Sequence, residues 1–279
     1  MPPSNITHIA EQFGGAGTPE QLSGGQGQSW KTETSDGPIV IKPSPTLDEA
    51  RWVGETFSQL TFSPGVRVPR PVLSNQGEWI VEGHTAWTWL DGQQADGRYR
   101  QKIDAARAFH AGLRPLQRPD FLDRRTDPWA MADRVAWSEA AADYDTHSME
   151  ALSPVLSMID ATPAPSDSQD QLIHGDLSGN YVFADNRAPG IIDITPYWRP
   201  VGFAEAVIWV DTIWFSKIAE PAHFAQQWMR AFVLRALARR IAEQPEQVAA
   251  GMRSAEDAAG TVAKLRAATG RLLEPWPSH

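Results

Sequence analysis

The chain has 279 residues, a formal net charge of −9 at pH 7 and no cysteine, which excludes disulfides, thiolate-ligated metal centres and a thiol nucleophile. Its length allows one large domain or two lobes, and its acidic balance disfavours a broad surface for nucleic acid. No stretch approaches the roughly 20 apolar residues of a membrane-spanning helix, so we expect a cytoplasmic protein with neither nucleic-acid nor membrane partners, its oligomeric state left open.

The N-terminal third predicts a small antiparallel sheet with one helix. Residues 29–34 and 39–42 predict two strands, and the Ser-Asp-Gly-Pro turn signal between them predicts a hairpin. Apolar residues at positions 47, 50, 53, 57 and 60 have helical spacing. A second hairpin is predicted from residues 72–74 and 78–81, around Asn75-Gln76-Gly77.

From residue 98 onward the pattern becomes mainly helical. Helical spacing covers residues 99–113, 129–142, 149–159, 203–217, 222–241 and 248–265. Residues 162–169 predict a surface loop, and residues 181–183 and 190–194 predict two short strands. The chain is therefore expected to be α+β, with a β-rich lobe over residues 1–90 and a larger helical lobe over residues 91–279.

The strongest chemical signal is the segment Leu-Ile-His-Gly-Asp-Leu-Ser-Gly-Asn at residues 172–180. Asp176 can accept a proton from a hydroxyl, while Asn180 and the downstream Asp193 offer the oxygen ligands that Mg²⁺ prefers. Asp and Asn in turns also often hydrogen-bond their own backbone, so this segment by itself leaves a structural role open.

A glycine-rich segment that contains Gly24, Gly25, Gly27 and Ser29 leads into the first predicted hairpin strand. Glycines let backbone N–H groups approach phosphate oxygens without a Cβ in the way. The segment is neither a Walker A loop nor a Rossmann turn, because no Gly-Lys-Ser/Thr follows and the next element is a strand. It resembles the glycine-rich flap of a kinase, with Lys42 on the following strand.

In chain order, the glycine-rich hairpin, Lys42, a helix with Glu49, the His174-Gly175-Asp176 loop with Asn180, and Asp193 resemble the aminoglycoside phosphotransferase-like small-molecule kinases. That family includes choline, homoserine and sugar kinases. The resemblance runs from about residue 22 to at least residue 214. It implies a bilobal protein-kinase-like fold and an ATP- and Mg²⁺-dependent transfer of a phosphoryl group to a small hydroxylated molecule: a sugar, an aminoglycoside or an amino alcohol.

The same resemblance implies roles for individual residues. Asp176 would position and deprotonate the acceptor hydroxyl, and Asn180 and Asp193 would hold Mg²⁺. Lys42 would contact the α- and β-phosphates and pair with Glu49, or alternatively with Glu55. His174 would brace the loop by hydrogen bonding.

Three aromatic or basic candidates have two interpretations each. Residues 87–90 would connect the lobes beside the adenine, with Trp87 and Trp89 either forming an aromatic wall or simply packing. Arg199, just beyond Asp193, would contact substrate or phosphate, or form an ordinary surface salt bridge.

The sequence also departs from the family pattern. Asp176 and Asn180 are four positions apart where the family usually has five, and Gly179 is expected to absorb the difference. Asp193 is followed by Ile-Thr-Pro, and no Ala-Pro-Glu follows, which disfavours an activation loop and a peptide substrate. Glu205 or Asp211 would anchor the catalytic loop, unless both are structural acids. A nucleotide-binding scaffold with little transferase activity is the alternative function.

Overall fold

The computed structural model describes residues 5–23, 28–44, 46–162, 168–214 and 229–273. Within them the helices are α1 (Ile6–Gln12), α2 (Leu47–Gln59), α3 (Tyr99–Leu113), α4 (Phe121–Arg124), α5 (Pro128–Ala136), α6 (Thr146–Asp160), α7 (Val201–Trp214), α8 (Arg230–Ala249) and α9 (Ala255–Leu273). The strands are β1 (Ala16–Gln21), β2 (Trp30–Glu33), β3 (Ile39–Pro43), β4 (Pro71–Val72), β5 (His84–Thr88), β6 (Asp170–His174), β7 (Tyr181–Val182), β8 (Gly190–Ile191) and β9 (Pro196–Pro200). The predicted α+β class is confirmed.

The elements form two compact units. The first contains Met1–Gln94 and Tyr181–Ile192, and the second contains Ala95–Asn180 and Asp193–His279. The predicted division after residue 90 differs from this in two respects. The first unit continues to Gln94, and it takes in a short segment from far along the chain.

The first unit is built on an antiparallel sheet with the strand order β1-β2-β3-β5-β4. Trp30 lies opposite Ile41 and Thr32 opposite Ile39, so the first predicted hairpin is confirmed. The core between α1 and the sheet consists of Ile6, Ile9, Ala10, Phe13, Trp30, Ile39, Ile41 and Ala86. Because side chains alternate along a strand, Ile39 and Ile41 face this core, and Lys42 lies on the opposite face.

The second predicted hairpin is wrong in its strand pairing. The turn after Ser74 exists, with the Gly77 N–H donating to the Ser74 carbonyl at 2.9 Å, but residues 78–81 form no strand of the sheet. The chain turns again at Glu82 and Gly83, whose φ angles are +47° and +75°, and β5 then pairs with β4. Two consecutive positive φ angles give the tight turn that fits twisted strands. Residues 87 and 88 therefore end a strand of the sheet, where an interlobe connection was expected.

Helix α2 confirms the helix predicted from the spacing at positions 47–60 and buries Glu49, Ala50, Val53, Gly54 and Phe57. The Thr46 hydroxyl caps it by accepting the Glu49 N–H at 3.1 Å, a standard N-cap arrangement. A Cβ at Gly54 would lie 2.5 Å from the Trp79 ring, so glycine here permits close packing. The helix therefore presents Glu49 to the interior.

The second unit is mainly helical, and α3 has the predicted bounds. The helix predicted at 129–142 ends at Ala136, because Ser138 turns into a left-handed conformation with φ +59°. Helix α8 continues through Pro245 to Ala249, and α9 begins at Ala255, seven residues later than predicted. Residues 163–167 of the predicted loop, and residues 215–217 and 222–228 of the predicted helices, lie outside the described residues.

The tryptophans of the described part of the chain are packing residues in the main. Trp30, Trp87 and Trp209 are buried, and no tryptophan side chain that the structure describes is exposed. No helix among the described residues is long and apolar enough to cross a membrane.

Candidate active site

The His-Gly-Asp loop leaves the end of a buried strand in the second unit. Strand β6 pairs antiparallel with β9, so that His174 lies opposite Pro196. The Gly175 N–H donates to the Thr195 carbonyl at 3.0 Å, which continues the pairing by one residue. Neither strand was predicted; together they fix where the loop begins.

His174 braces the loop through hydrogen bonds, as the resemblance implied. It is fully buried, and its Nδ1 accepts the Asp176 backbone N–H at 3.1 Å. Its own backbone N–H donates to Nε2 of His110 on α3 at 3.1 Å. Burial, with a smaller contribution from His174, lowers the pKa of His110 to about 3, so its ring remains a neutral acceptor at pH 7.

Gly175 is required by the closeness of Tyr197. A Cβ at this position would lie 2.2 Å from the Tyr197 ring, a distance that no side chain tolerates. The Gly175 carbonyl accepts a hydrogen bond of 2.7 Å from Nη1 of Arg239 on α8. Arg239 is itself fully buried and lies over the Tyr197 ring, 4.5 Å from its centroid.

Asp176 points one carboxylate oxygen at a buried arginine. Its side chain is 40% exposed, and Oδ1 accepts a hydrogen bond of 2.7 Å from Nη2 of Arg240. Burial alone would raise the pKa of this carboxyl, but Arg240 and then Arg239 outweigh burial and lower the pKa. Among the described residues no hydrogen bond reaches Oδ2, so the second oxygen is available to an acceptor hydroxyl.

Arg240 connects Asp176 to two further carboxylates. Its Nε and Nη2 donate to both oxygens of Asp211 on α7, at 2.8 and 2.6 Å. Its Nη1 donates to both oxygens of Glu243, at 3.0 and 2.9 Å. Arg239 and Arg240 were not among the residues predicted from the sequence. The available signal was a pair of arginines within an apolar stretch of α8, since buried arginines are rare unless they are paired.

The loop is also held at Ser178, which resolves the question of its anchor. The Ser178 hydroxyl donates to Oδ2 of Asp211 at 2.5 Å, and its carbonyl accepts from Nζ of Lys102 at 3.1 Å. Glu205, the other candidate, accepts two hydrogen bonds from Arg107, at 2.8 and 2.9 Å. The geometry therefore assigns the anchor to Asp211.

Asn180 and Asp193 provide two hard oxygen donors. The Asn180 Nδ2 donates to the Asp176 carbonyl at 2.6 Å, so its Oδ1, which accepts no hydrogen bond from a described residue, remains available. Tyr181 and Ile191 are paired partners in the β7–β8 hairpin. Asn180 and Asp193 therefore both lie at its open end. Gly179 has an open surrounding and no positive φ, so the shortened spacing does not depend on glycine there.

This donor set fits Mg²⁺. The ion usually takes one or two protein ligands and completes its shell with water and substrate phosphates. Within the described residues no group of three or more His, Asp or Glu side chains is arranged as a metal cage. Asp193 is exposed and has φ +56°, a left-handed conformation that costs a non-glycine residue about 1 kcal/mol. Such strain is typical of functional positions.

The nucleotide candidates lie in the first unit. Glu49 is 6% exposed while Glu55 is exposed, which favours Glu49 as the buried carboxylate of α2. Trp87 is 7% exposed and donates to the Thr85 hydroxyl at 3.3 Å, which favours packing over an aromatic wall. Lys42 Nζ lies 5.6 Å from the Trp87 ring centroid.

The other residues predicted to contact the nucleotide belong to the glycine-rich flap and to the aromatic wall. Gly24, Gly25 and Gly27 lie outside the described residues. The Ser29 carbonyl accepts the Leu22 N–H at 2.9 Å. The Trp89 ring lies under Lys31, with Nζ 4.9 Å from its centroid. Their roles stay predictions.

Arg199 is engaged by structural partners. Its guanidinium donates to Asp133 at 2.8 and 2.9 Å and to both oxygens of Glu139 at 2.7 Å. It also lies 4.8 Å from the Trp137 ring centroid and is 12% exposed. The structure thus supports a salt bridge for Arg199, buried where a surface one was expected, and gives no support to a substrate contact.

Most of the chain matches the model of a known protein family. A model of the phosphotransferase enzyme family, APH, matches residues 18–195, a range that contains every candidate above from Ser29 to Asp193. No curated protein sequence shows significant similarity to the chain.

Solved structures of similar fold include three kinases. Amicoumacin kinase hAmiN, in complex with AMP-PNP, Ca²⁺ and Ami, is 14% identical with a TM-score of 0.63, covering 94% of this chain and 91% of its own. A thermostable mutant of aminoglycoside phosphotransferase APH(4)-Ia, with ADP and hygromycin B, is 14% identical with a TM-score of 0.61, covering 98% and 100%. Choline kinase LicA from Streptococcus pneumoniae is 11% identical with a TM-score of 0.61, covering 96% and 99%. At these identities the likeness establishes the fold, and the predicted kinase-like fold is confirmed.

Proposed function

Because the chain belongs to the phosphotransferase enzyme family of small-molecule kinases, we propose that it uses ATP and Mg²⁺ to transfer the γ-phosphoryl group to a hydroxyl of a small molecule. The observation that carries the proposal is the presentation of Asp176. One of its carboxylate oxygens is fixed by Arg240 at 2.7 Å and the other is left for a ligand. A carboxylate held in this way can orient an acceptor hydroxyl and take its proton.

The residues around Asp176 keep its carboxylate ready to accept a proton and hold its loop in place. Arg240 and Arg239 keep the carboxyl deprotonated by lowering its pKa against the effect of burial. The His174 ring accepts the Asp176 N–H, and the Thr195 carbonyl accepts the Gly175 N–H. Asp211 accepts the Ser178 hydroxyl, so the loop is held at three points. Catalysis of phosphoryl transfer depends mostly on such positioning and on electrostatics.

Asn180 and Asp193 would hold Mg²⁺, and Lys42 with Glu49 would serve the nucleotide phosphates. The oxygen atoms of Asn180 and Asp193 at the open end of the β7–β8 hairpin support the first assignment. When bound, the ion neutralises charge on the phosphates. The buried position of Glu49 in the same unit as Lys42 supports the second assignment.

The acceptor belongs to the hydroxylated small molecules. The similar structures include proteins named for amicoumacin and choline, and one that holds hygromycin B. A panel of aminoglycosides, sugars, amino alcohols and nucleosides, tested by coupled detection of ADP, is the direct route to the acceptor class.

Replacing Asp176 tests the proposal. We expect D176N to lower turnover of the best acceptor by about 10³-fold, since general-base catalysis contributes about 10²- to 10⁴-fold, while the Kd for MgATP measured by calorimetry changes less than about threefold. D185N, which alters an exposed aspartate, is the matched control and should keep wild-type turnover. Wild-type turnover in D176N would refute the role of Asp176. ATP binding without turnover of any acceptor by the wild type would favour the scaffold alternative.

A further inference from the structure

We propose that Arg240 is a positioning residue of the phosphoryl transfer, holding the carboxylate of Asp176 in its working orientation from outside the catalytic loop. The inference rests on the proposed function, because it assumes that Asp176 is the base. Arg240 lies 64 residues after Asp176 in the chain and reaches it with a hydrogen bond of 2.7 Å. The loop itself contains no basic side chain after His174.

The geometry around Arg240 leaves its guanidinium little freedom. Its hydrogen bonds to Asp211, Glu243 and Asp176 use both terminal nitrogens and Nε, and its side chain is 9% exposed. Because a guanidinium is planar and its donors have fixed directions, fixing some of its hydrogen bonds also fixes the direction of the one it donates to Asp176. Asp176 is thus oriented by a group that is itself oriented by two buried carboxylates, those of Asp211 and Glu243.

Arg240 also ties the loop to its anchor. Asp211 accepts from both Arg240 and Ser178, so the Asp176 side chain and the Ser178 side chain are joined through one carboxylate. The neighbouring Arg239 holds the backbone carbonyl of Gly175. Two consecutive residues of α8 therefore fix the loop. Arg239 holds the loop backbone at Gly175, and Arg240 holds the side chain of Asp176.

The charges in this cluster suit a carboxylate that accepts a proton. Arg239 and Arg240 supply +2, and Asp176, Asp211 and Glu243 supply −3, so the cluster carries −1 and becomes neutral when Asp176 takes a proton. If Arg240 were removed, Glu243 would keep its ion pair with Arg239, whereas Asp211 would lose both of its hydrogen bonds from arginine. Breaking a buried ion pair from one side is strongly destabilising, so a mild variant is needed.

The test compares R240K with E243Q and R235K. Lysine keeps the positive charge but cannot hold Asp211 by two hydrogen bonds and reach Asp176 at once. We expect R240K to lower kcat for the best acceptor by about 10²-fold, the cost of a misplaced catalytic group, with the KM for ATP within about threefold. E243Q disturbs the same arginine but keeps its contact with Asp176, so its kcat should fall less. R235K lies on the same helix, where Arg235 donates to the Ala231 carbonyl, and should match the wild type.

Amide hydrogen exchange gives a readout that needs no acceptor. The N–H groups of Gly175, Asp176 and Asn180 all donate within or beside the loop. We expect them to exchange faster in R240K than in R235K. R240Q, whose amide keeps one planar donor, is carried in parallel in case R240K does not fold.

Two kinetic results would overturn the proposal. One is an R240K variant with wild-type kcat. The other is an equal loss of kcat in R240K and E243Q that follows their loss of thermal stability, which would make the cluster structural only. If the wild type turns over no acceptor, the proposed function fails. The exchange experiment then still decides whether Arg240 fixes the loop, and unchanged exchange in R240K refutes it.

Discussion

His110 and His174 form a buried pair beneath the loop that carries Asp176. Each is at most 1% exposed, and His110 supplies the acceptor for the His174 backbone N–H. That acceptor exists only while the ring of His110 is neutral. The depression of its pKa to about 3 therefore links the protonation of one side chain to the stability of the fold.

This linkage predicts a pH dependence of stability. In the unfolded chain His110 has the ordinary pKa of 6.5, so as the pH falls below 6.5 the unfolded state takes up a proton that the folded state refuses until about pH 3. The contribution of His110 to the free energy of unfolding is therefore fully present above pH 6.5 and is lost as the pH falls from 6.5 towards 3. The expected loss from this group between pH 7 and pH 5 is about 2 kcal/mol.

The variant H110Q isolates the effect, because glutamine cannot titrate but can still present an oxygen to the His174 N–H. The free energy of unfolding would be measured by urea denaturation at pH 7 and pH 5. The wild type should lose about 2 kcal/mol more than H110Q between the two. An equal pH dependence in both proteins would show that His110 does not titrate as described.

Helix α7 carries two acids with different surroundings. Glu205 and Asp211 are both buried, but the partner of Glu205, Arg107, is 58% exposed. The partner of Asp211, Arg240, is 9% exposed. If the carboxylate of Glu205 is removed, the guanidinium of Arg107 can be solvated by water. If the carboxylate of Asp211 is removed, the buried guanidinium of Arg240 cannot.

The two acids should therefore respond differently to neutralisation. We expect D211N to destabilise the protein by about 3 kcal/mol, as when a buried pair is broken, and to lower kcat at least about tenfold through the loop. E205Q should cost about 1 kcal/mol or less and keep turnover. Thermal unfolding and ADP release check both. Equal effects of the two variants would remove the distinction between anchor and structural acid.

At the scale of the whole molecule, one segment of the chain belongs to a different unit from its neighbours in sequence. Residues Tyr181–Ile192 are part of the first unit, whereas Asn180 and Asp193 on either side belong to the second. Both proposed metal ligands thus flank this segment. The two units are therefore discontinuous in sequence, whereas the predicted lobes over residues 1–90 and 91–279 are continuous.

Binding of MgATP should stabilise the folded molecule as a whole. A ligand at 100 times its Kd adds about 2.7 kcal/mol of stability, which for a chain of this size corresponds to a rise in Tm of about 5 °C or more. We expect this shift for the wild type with MgATP, and a much smaller one with ATP and EDTA or in D193A. A full shift in D193A with MgATP would refute Asp193 as a metal ligand.

Much of the fold could be predicted because its signals are local. Helical spacing gave the bounds of α3, the Asp-Gly turn gave the β2–β3 hairpin, and the turn predicted after Ser74 exists. The pairing of β4 with β5 could not be predicted in the same way. It depends on a second turn at Glu82-Gly83 and on contacts between residues distant in sequence.

The sequence by itself determined the family of this protein and its candidate reactive groups, since the His174-Gly175-Asp176 loop, Asn180 and Asp193 are recognisable from residue type, order and spacing. The tertiary structure decided which charged groups meet. It placed Arg240 on Asp176 across 64 residues of chain and gave Arg199 to Asp133 across 66. Such pairings depend on how helices and strands pack, because a buried charge must find its partner in space, and no local pattern in the sequence specifies where that partner lies.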